Sequence, residues 1–247
     1  MALFSAQGLE KRFGDHVVLQ GISLEVGADE IVGLMGPNGA GKTTCFNVLT
    51  GRYRPDAGRV TFDGVDITGW APRKLARLGI ARSFQMMNLF NDESARVNVM
   101  LALATVRQRG FSMWRDLARD KASIDAADQL LAEVGLAGKE ALEASRLSYG
   151  DRRALEIAVA LASKPRLLFL DEPTAGLGVA GTARLAELVG TLKRRVAMVI
   201  IEHDMRFLFS LADRIGVIHW GQIVAQGTPA ELRANPWVGR SRLGRAA

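Results

Sequence analysis

The stretch Glu30-Ile31-Val32-Gly33-Leu34-Met35-Gly36-Pro37-Asn38-Gly39-Ala40-Gly41-Lys42-Thr43-Thr44 decides the fold class. Its first six residues form an almost continuous apolar run, the pattern of a parallel strand buried on both faces. Its last nine match the phosphate-loop pattern G-x-x-x-x-G-K-S/T, and a helix-like stretch follows from Lys42 to Leu49. Glycines let backbone N–H groups turn inward around an anion, and the N-terminus of the following helix adds its dipole. Gly36, Pro37, Asn38, Gly39, Ala40, Gly41, Lys42, Thr43 and Thr44 therefore form a candidate phosphate cradle. Within it Lys42 can reach β- and γ-phosphates, and the Thr43 hydroxyl can ligate Mg²⁺. A glycine-rich structural turn is the competing reading, but such a turn needs neither the strand before it nor the helix after it. Cys45, just inside the helix, reads as core rather than as a reactive thiol.

A second apolar strand ends in acid. Leu167-Leu168-Phe169-Leu170-Asp171-Glu172-Pro173 places two carboxylates where α/β proteins bind ligands. Burying carboxylates there is unfavourable unless a cation offsets them, as Mg²⁺-ATP would. Neighbouring strand side chains point to opposite faces, so the two acids should differ in role. Asp171 is expected to approach magnesium through water, and Glu172 to polarise the attacking water.

Around these stretches the chain alternates strand and helix. Ala197-Met198-Val199-Ile200-Ile201 is a further buried strand, and Thr182 to Arg194 reads as the helix before it. This order implies a parallel sheet with helices on its faces. The opening third reads as short strands (Val17-Val18-Leu19, Ile22 to Val26, Arg59 to Phe62) punctuated by Gly and Asp. From about Val97 to Leu161 the signal is helical, with Ala126, Leu130, Leu131 and Val134 on one apolar face. The expected architecture is an α/β core of about residues 1–87 and 160–247, interrupted by a helical lobe of about 88–159.

Bulk properties exclude several classes. With 247 residues and 48% apolar content the chain can bury a sizeable core. Its net charge of +6 comes from dispersed arginines, apart from short clusters such as Lys193-Arg194-Arg195 and the tail Arg240, Arg242 and Arg245, so nucleic acid is not expected as a partner. A single cysteine rules out an internal disulfide framework. The N-terminus lacks the pattern of a signal peptide, and no run of eighteen apolar residues appears. The expectation is a cytoplasmic protein whose membrane role, if any, comes through a partner.

Four further motifs sharpen this. Leu147-Ser148-Tyr149-Gly150-Asp151, ahead of Asp171, resembles the signature motif of ABC transporter ATPases. Gln85 in Arg82-Ser83-Phe84-Gln85 resembles their Q-loop, and His203 in Ile201-Glu202-His203-Asp204 their switch histidine. Phe13 sits where the family stacks an aromatic on adenine, with core packing as the rival role. Order and spacing agree over nearly the whole chain. The resemblance implies a P-loop NTPase fold with a parallel sheet, an N-terminal antiparallel β region and an inserted helical lobe. It implies ATP and Mg²⁺ as cofactors, with Thr43, Gln85 and Asp171 about the metal and Glu172, His203 and Gln85 as the catalytic group. Ser148 and the N–H groups of Tyr149 and Gly150, ahead of a helix expected near Asp151, make a second anion-binding helix end. In the family that end caps the γ-phosphate held by the opposite subunit, so two chains sandwich two nucleotides.

Two departures from the family stand out. The commonest signature is Leu-Ser-Gly-Gly-Gln, whereas Tyr149 and Asp151 replace its first Gly and its Gln. This variant, with Arg152 to Ala158, Gly79 to Gln85, Asp66 to Gly69 and Arg107 to Asp120, is similar to ATPase subunits of branched-chain (hydrophobic) amino acid importers and their urea and short-amide relatives. Gly178 stands where the family has Asp or Asn, in the loop by which each site senses the other. The resemblance thus implies an importer ATPase, peripheral on the cytoplasmic face of the membrane. Its implied partners are a second ATPase subunit (a non-identical homologue, or itself), permease subunits and, indirectly, an external solute-binding protein. A lipopolysaccharide- or lipid-extracting transporter is the main rival. A soluble ABC ATPase acting on nucleic acid or ribosomes would usually carry two cassettes or long coiled coils, and a P-loop kinase has no use for the Ser148 motif.

Overall fold

The computed structural model describes residues 2–83, 89–103 and 120–235. Strands β1 (Phe4–Phe13) and β2 (His16–Val26) form an antiparallel hairpin, extended by β4 (Ala57–Phe62) and β5 (Val65–Asp66) into a sheet of order β2-β1-β4-β5. The two runs separated by Gly21 are one strand. Gly21, at φ +82°, is the unpaired residue between the pairs Leu9–Ile22 and Glu10–Gln20. A bulge bends a strand without ending it, which is why the glycine reads as a break in sequence.

The second sheet has the order β10 (Gln222–Gly227), β9 (Arg214–His219), β3 (Ile31–Met35), β8 (Ala197–Ile201), β7 (Leu167–Asp171), β6 (Ile80–Arg82). All neighbours pair in parallel except the edge strand β10. Its central strands divide their side chains between two cores with period two. Ile31, Met35, Leu168, Leu170, Met198 and Ile200 face the core built with the helices. Val32, Leu34, Leu167, Phe169, Val199 and Ile201 face the antiparallel sheet and α1 (Lys42–Leu49). Phe169 meets Phe4 and Phe46 edge-on there, with ring centroids 5.6 and 5.9 Å away. Burial on both faces is the physical reason for the unbroken apolar runs.

Among the described residues the other α-helices are α2 (Pro72–Arg77), α3 (Ala95–Ala102), α4 (Lys121–Glu133), α5 (Tyr149–Leu161), α6 (Val179–Leu192), α7 (Met205–Leu211) and α8 (Pro229–Ala234). Helices α3, α4 and α5 pack on one another through Val99, Ala127, Leu131, Leu155 and Ala158, and Arg96 grips Asp128 by two hydrogen bonds of 2.6 and 3.0 Å. The apolar face of α4 is close to the expected one: Leu131 and Val134 are buried, Ala126 and Leu130 pack half-buried against the same core, and Ser123 and Ala127 are buried beside them. Helix α6 starts three residues before Thr182 and ends two before Arg194. Its Gly178 cap makes no side-chain hydrogen bond and Val179 is exposed, so neither supplies a start signal. No helix among the described residues is long and apolar enough to cross a membrane.

Candidate active site

Strands β3, β8 and β7 are neighbours, so the segments leaving their C-terminal ends meet. They are the phosphate loop, the segment through His203 and the acid pair. In the loop, a side chain on Gly36 would come within 2.2 Å of the Ile218 carbonyl, so only glycine fits. Gly41 caps α1 at φ +100°, a left-handed conformation that glycine adopts at little cost. Lys42 is buried, and its Nζ donates to the carbonyls of Gly36 (2.7 Å) and Pro37 (2.9 Å), which centres the charge in the loop. Burial lowers its pKa, while Glu172 and Asp171 pull it back up. Thr43 is exposed and Thr44 half-buried, at the open end of α1. Cys45 is wholly buried and its thiol pKa is pushed up to about 12, so it is an inert core residue.

Asp171, the last residue of β7, is 3% exposed. Burial, and then the like charge of Glu172, raise its pKa to about 6, against the opposing pull of Arg82 and Lys42. Arg82 donates to Thr50 Oγ1 (3.0 Å) and Asn47 Oδ1 (3.4 Å) and lies 4.9 Å from the centre of the Phe46 ring. Glu172 is not simply the next residue of the strand. Its φ is +44° and its N–H donates to the Ile201 carbonyl at 2.8 Å, so the chain kinks left-handedly. The two acids differ in environment, Asp171 buried and Glu172 half-buried, through that kink rather than through strand alternation.

The segments beyond the acids and beyond β8 are tied together. Glu202, 0% exposed, accepts from Thr174 N (2.8 Å) and Thr174 Oγ1 (2.6 Å) on one carboxylate oxygen. Its other oxygen accepts from His203 N (3.0 Å) and Asp204 N (3.3 Å). The His203 side chain itself is 59% exposed. Sequence reasoning passed over Glu202, because a carboxylate beside a histidine after a strand carries no pattern of its own. It likewise gave Arg82 no role beyond its place in a motif.

Helix α5 begins at Tyr149, two residues before the expected Asp151, with Ser148 as its cap. Ser148 Oγ accepts from Asp151 N (3.2 Å) and donates to the Asp151 carboxylate (2.7 Å), which also accepts from Lys139 (2.7 Å). The N–H groups of Tyr149 and Gly150 thus lie in the first turn, where helix donors lack partners within the helix. The Tyr149 hydroxyl donates to the Ala175 carbonyl at 3.0 Å, and its ring covers Gly176, which has φ +78°. The left-handed residue of that turn is Gly176; Gly178, at φ −77°, does not use a glycine's freedom. Phe13, at the β1–β2 hairpin, is 45% exposed and stands edge-on to Tyr53 at 5.4 Å, so it is not a core residue. Gln85, most of the Arg107–Asp120 stretch and the arginine tail lie outside the described residues.

The sequence profile of the ABC transporter family matches residues 19–175, which run from β2 through the phosphate loop and the Ser148 motif to the acid pair. The chain belongs to the ABC transporter family. This ABC ATPase is 39% identical to the high-affinity branched-chain amino acid transport ATP-binding protein LivG of Escherichia coli (strain K12), over 99% of this chain and 98% of LivG. It is 34% identical to the lipopolysaccharide export system ATP-binding protein LptB of Acidithiobacillus ferridurans, over 97% of this chain and 97% of LptB. An ATP-binding cassette of an ABC transporter solved in its ADP conformation superposes with a TM-score of 0.85 at 29% identity, covering 96% of this chain and 97% of that one. As a member of the family, the chain is a nucleotide-binding ATPase subunit. Its site offers hard oxygen donors: the exposed Thr43 hydroxyl and the Asp171 carboxylate, whose raised pKa marks a charge that a cation would relieve. That donor set suits Mg²⁺ carried in with nucleotide phosphates.

Proposed function

We propose that this chain powers the uptake of branched-chain or other hydrophobic amino acids, working on the cytoplasmic face of the membrane with permease subunits and a second ATPase subunit. The near-full-length identity to LivG carries the cargo reading, and it exceeds the identity to LptB. The meeting of phosphate loop, acid pair and His203 on three adjacent strands carries the chemistry. In this reading the loop N–H groups from Gly36 to Thr44 and the Lys42 ammonium bind the phosphates, and Phe13 stacks on the adenine. Thr43, Asp171 and Gln85 hold Mg²⁺, which when bound neutralises phosphate charge. Glu172 orients the attacking water and accepts its proton, and His203 steadies the γ-phosphate. Ser148 with the N–H groups of Tyr149 and Gly150 receives the γ-phosphate of the opposite subunit. Residues of about 88–159 act as the lobe that passes closure on to the permease, and the rest as the nucleotide-binding core.

Uptake of radiolabelled leucine by the source cells tests both halves of the proposal. Deleting the chain should abolish high-affinity uptake, and the wild-type chain should restore it. Glu172→Gln should not restore it, because losing a positioned general base slows hydrolysis by about 10²–10⁴-fold. Unchanged uptake of leucine, isoleucine and valine after deletion would refute the cargo. Restoration by Glu172→Gln would move the base elsewhere.

A further inference from the structure

Three carboxylates crowd the ends of β7 and β8: Asp171, Glu172 and the fully buried Glu202. Placing a third like charge beside two others is unfavourable unless it is strongly hydrogen-bonded. Glu202 meets that condition from two separate segments of the site. Thr174, two residues beyond Glu172, donates twice to Oε1, while the N–H groups of His203 and Asp204 donate to Oε2. Its own N–H donates to the Leu34 carbonyl at 3.1 Å, in the strand that feeds the phosphate loop. All four hydrogen bonds to the carboxylate come from donors, which suits an acceptor-only group and no neutral side chain of the same shape.

We propose that Glu202 is a positioning residue for hydrolysis, a buried clip that holds the Glu172 segment and the His203 segment in one fixed relation. The proposal rests on the reading that those two side chains act on the nucleotide. Displacement of the His203 segment is carried through the carboxylate to Thr174 and so to the turn at Glu172. Hydrogen bonds to a carboxylate are roughly twice as strong as neutral ones, and preorganised sites depend on such supports. Glu202→Gln keeps the shape but turns an amide N–H₂ toward either two N–H donors or the Thr174 donors. Thr174→Val keeps the volume and removes only the Oγ1 bond.

The test uses the full chain and three measurements on each variant: kcat and KM for Mg²⁺-ATP turnover in the assembly with its ATPase partner and permeases, affinity for a fluorescent ATP analogue, and hydrogen exchange at the amides of Thr174, His203 and Asp204. Glu202→Gln should lower kcat by about ten- to a hundredfold, as expected for charged hydrogen bonds. KM and analogue affinity should stay within about threefold, because the loop N–H groups and Lys42, which carry most of the phosphate binding, are untouched. Exchange should quicken on both segments together. Thr174→Val should lower kcat by about three- to tenfold, quicken exchange at His203 as well as at Thr174, and add nothing further in the double variant. Turnover within twofold of wild type in folded Glu202→Gln overturns the proposal; so does exchange that changes on one segment only, or additivity in the double variant. Should Glu202→Gln not fold, Thr174→Val decides by the same kcat and His203 exchange criteria. Failure of the underlying reading looks different: Glu172→Gln then turns over normally, while Glu202→Gln still loosens both segments.

Discussion

Lys42 and Asp171 carry the energetic tension of the site. The Lys42 ammonium is held by two carbonyls of its own loop and faces both acids, so it is centred before any phosphate contact is made. Lys42→Ala should therefore remove tight ATP binding outright, and isothermal calorimetry should show no saturable heat in the micromolar range. Asp171 has a sign that is easily mistaken. Its folded pKa of about 6 lies above the ordinary aspartate value of 3.8, so its buried charge opposes folding. The native state binds the extra proton between those values, and stability falls as pH rises through that window. Asp171→Asn should then stabilise the nucleotide-free chain near pH 7.5, by at most about 3 kcal/mol at 1.36 kcal/mol per pKa unit. Thermal melts should show that gain shrinking as pH falls from 6 towards 4. A gain that grows at acid pH would refute the assignment.

At the scale of elements, helix ends carry the chemistry. Helix α1 opens at a left-handed glycine and α5 at a serine cap whose hydroxyl is already shared with Asp151. Helix α6 opens at Gly178 with no side-chain cap and no atom within 4 Å of a would-be Cβ. An aspartate there meets neither strain nor clash. It should cap α6 and interact favourably with its dipole, a gain of about 0.3–1 kcal/mol. Gly178→Asp is thus expected to raise the melting temperature modestly. In the assembled transporter it should also speed hydrolysis at the site the loop faces, measured with each site's glutamate disabled in turn. A faster partner site would show that the polar side chain missing at Gly178 slows the site its loop faces; no change marks it as a neutral variation. Gly176 is the opposite case, since Tyr149 covers it and its φ is positive, so a side chain there would displace the ring.

For the whole molecule, the Ser148 helix end and the phosphate loop belong to different parts of the fold, one at the start of α5 and one at the C-terminal end of the central strand β3. On the proposed two-chain sandwich, a chain cannot complete its own site. The isolated chain should hydrolyse ATP poorly. Specific activity should rise with protein concentration, and rise further with the cognate ATPase partner and permeases. Full activity at a dilution where light scattering reports only monomer would contradict the sandwich.

The sequence alone determined whatever is local and periodic. The phosphate loop, the apolar strands around it and the α1 range follow from glycine placement and from strands buried on both faces, and the resemblance follows from ordered motifs. The start of α6 lies three residues before its expected place, because a bare glycine start carries little local free energy; that of α5 lies two residues early, at the Ser148 cap itself. Only the tertiary structure decided that Gly21 bulges instead of ending β2, and that Glu172 leaves its strand by a left-handed kink. It alone showed that Glu202 joins two segments 28 residues apart. Those outcomes depend on strand register and on which buried donors lack other partners, and neither is written in the spacing of residues along one strand.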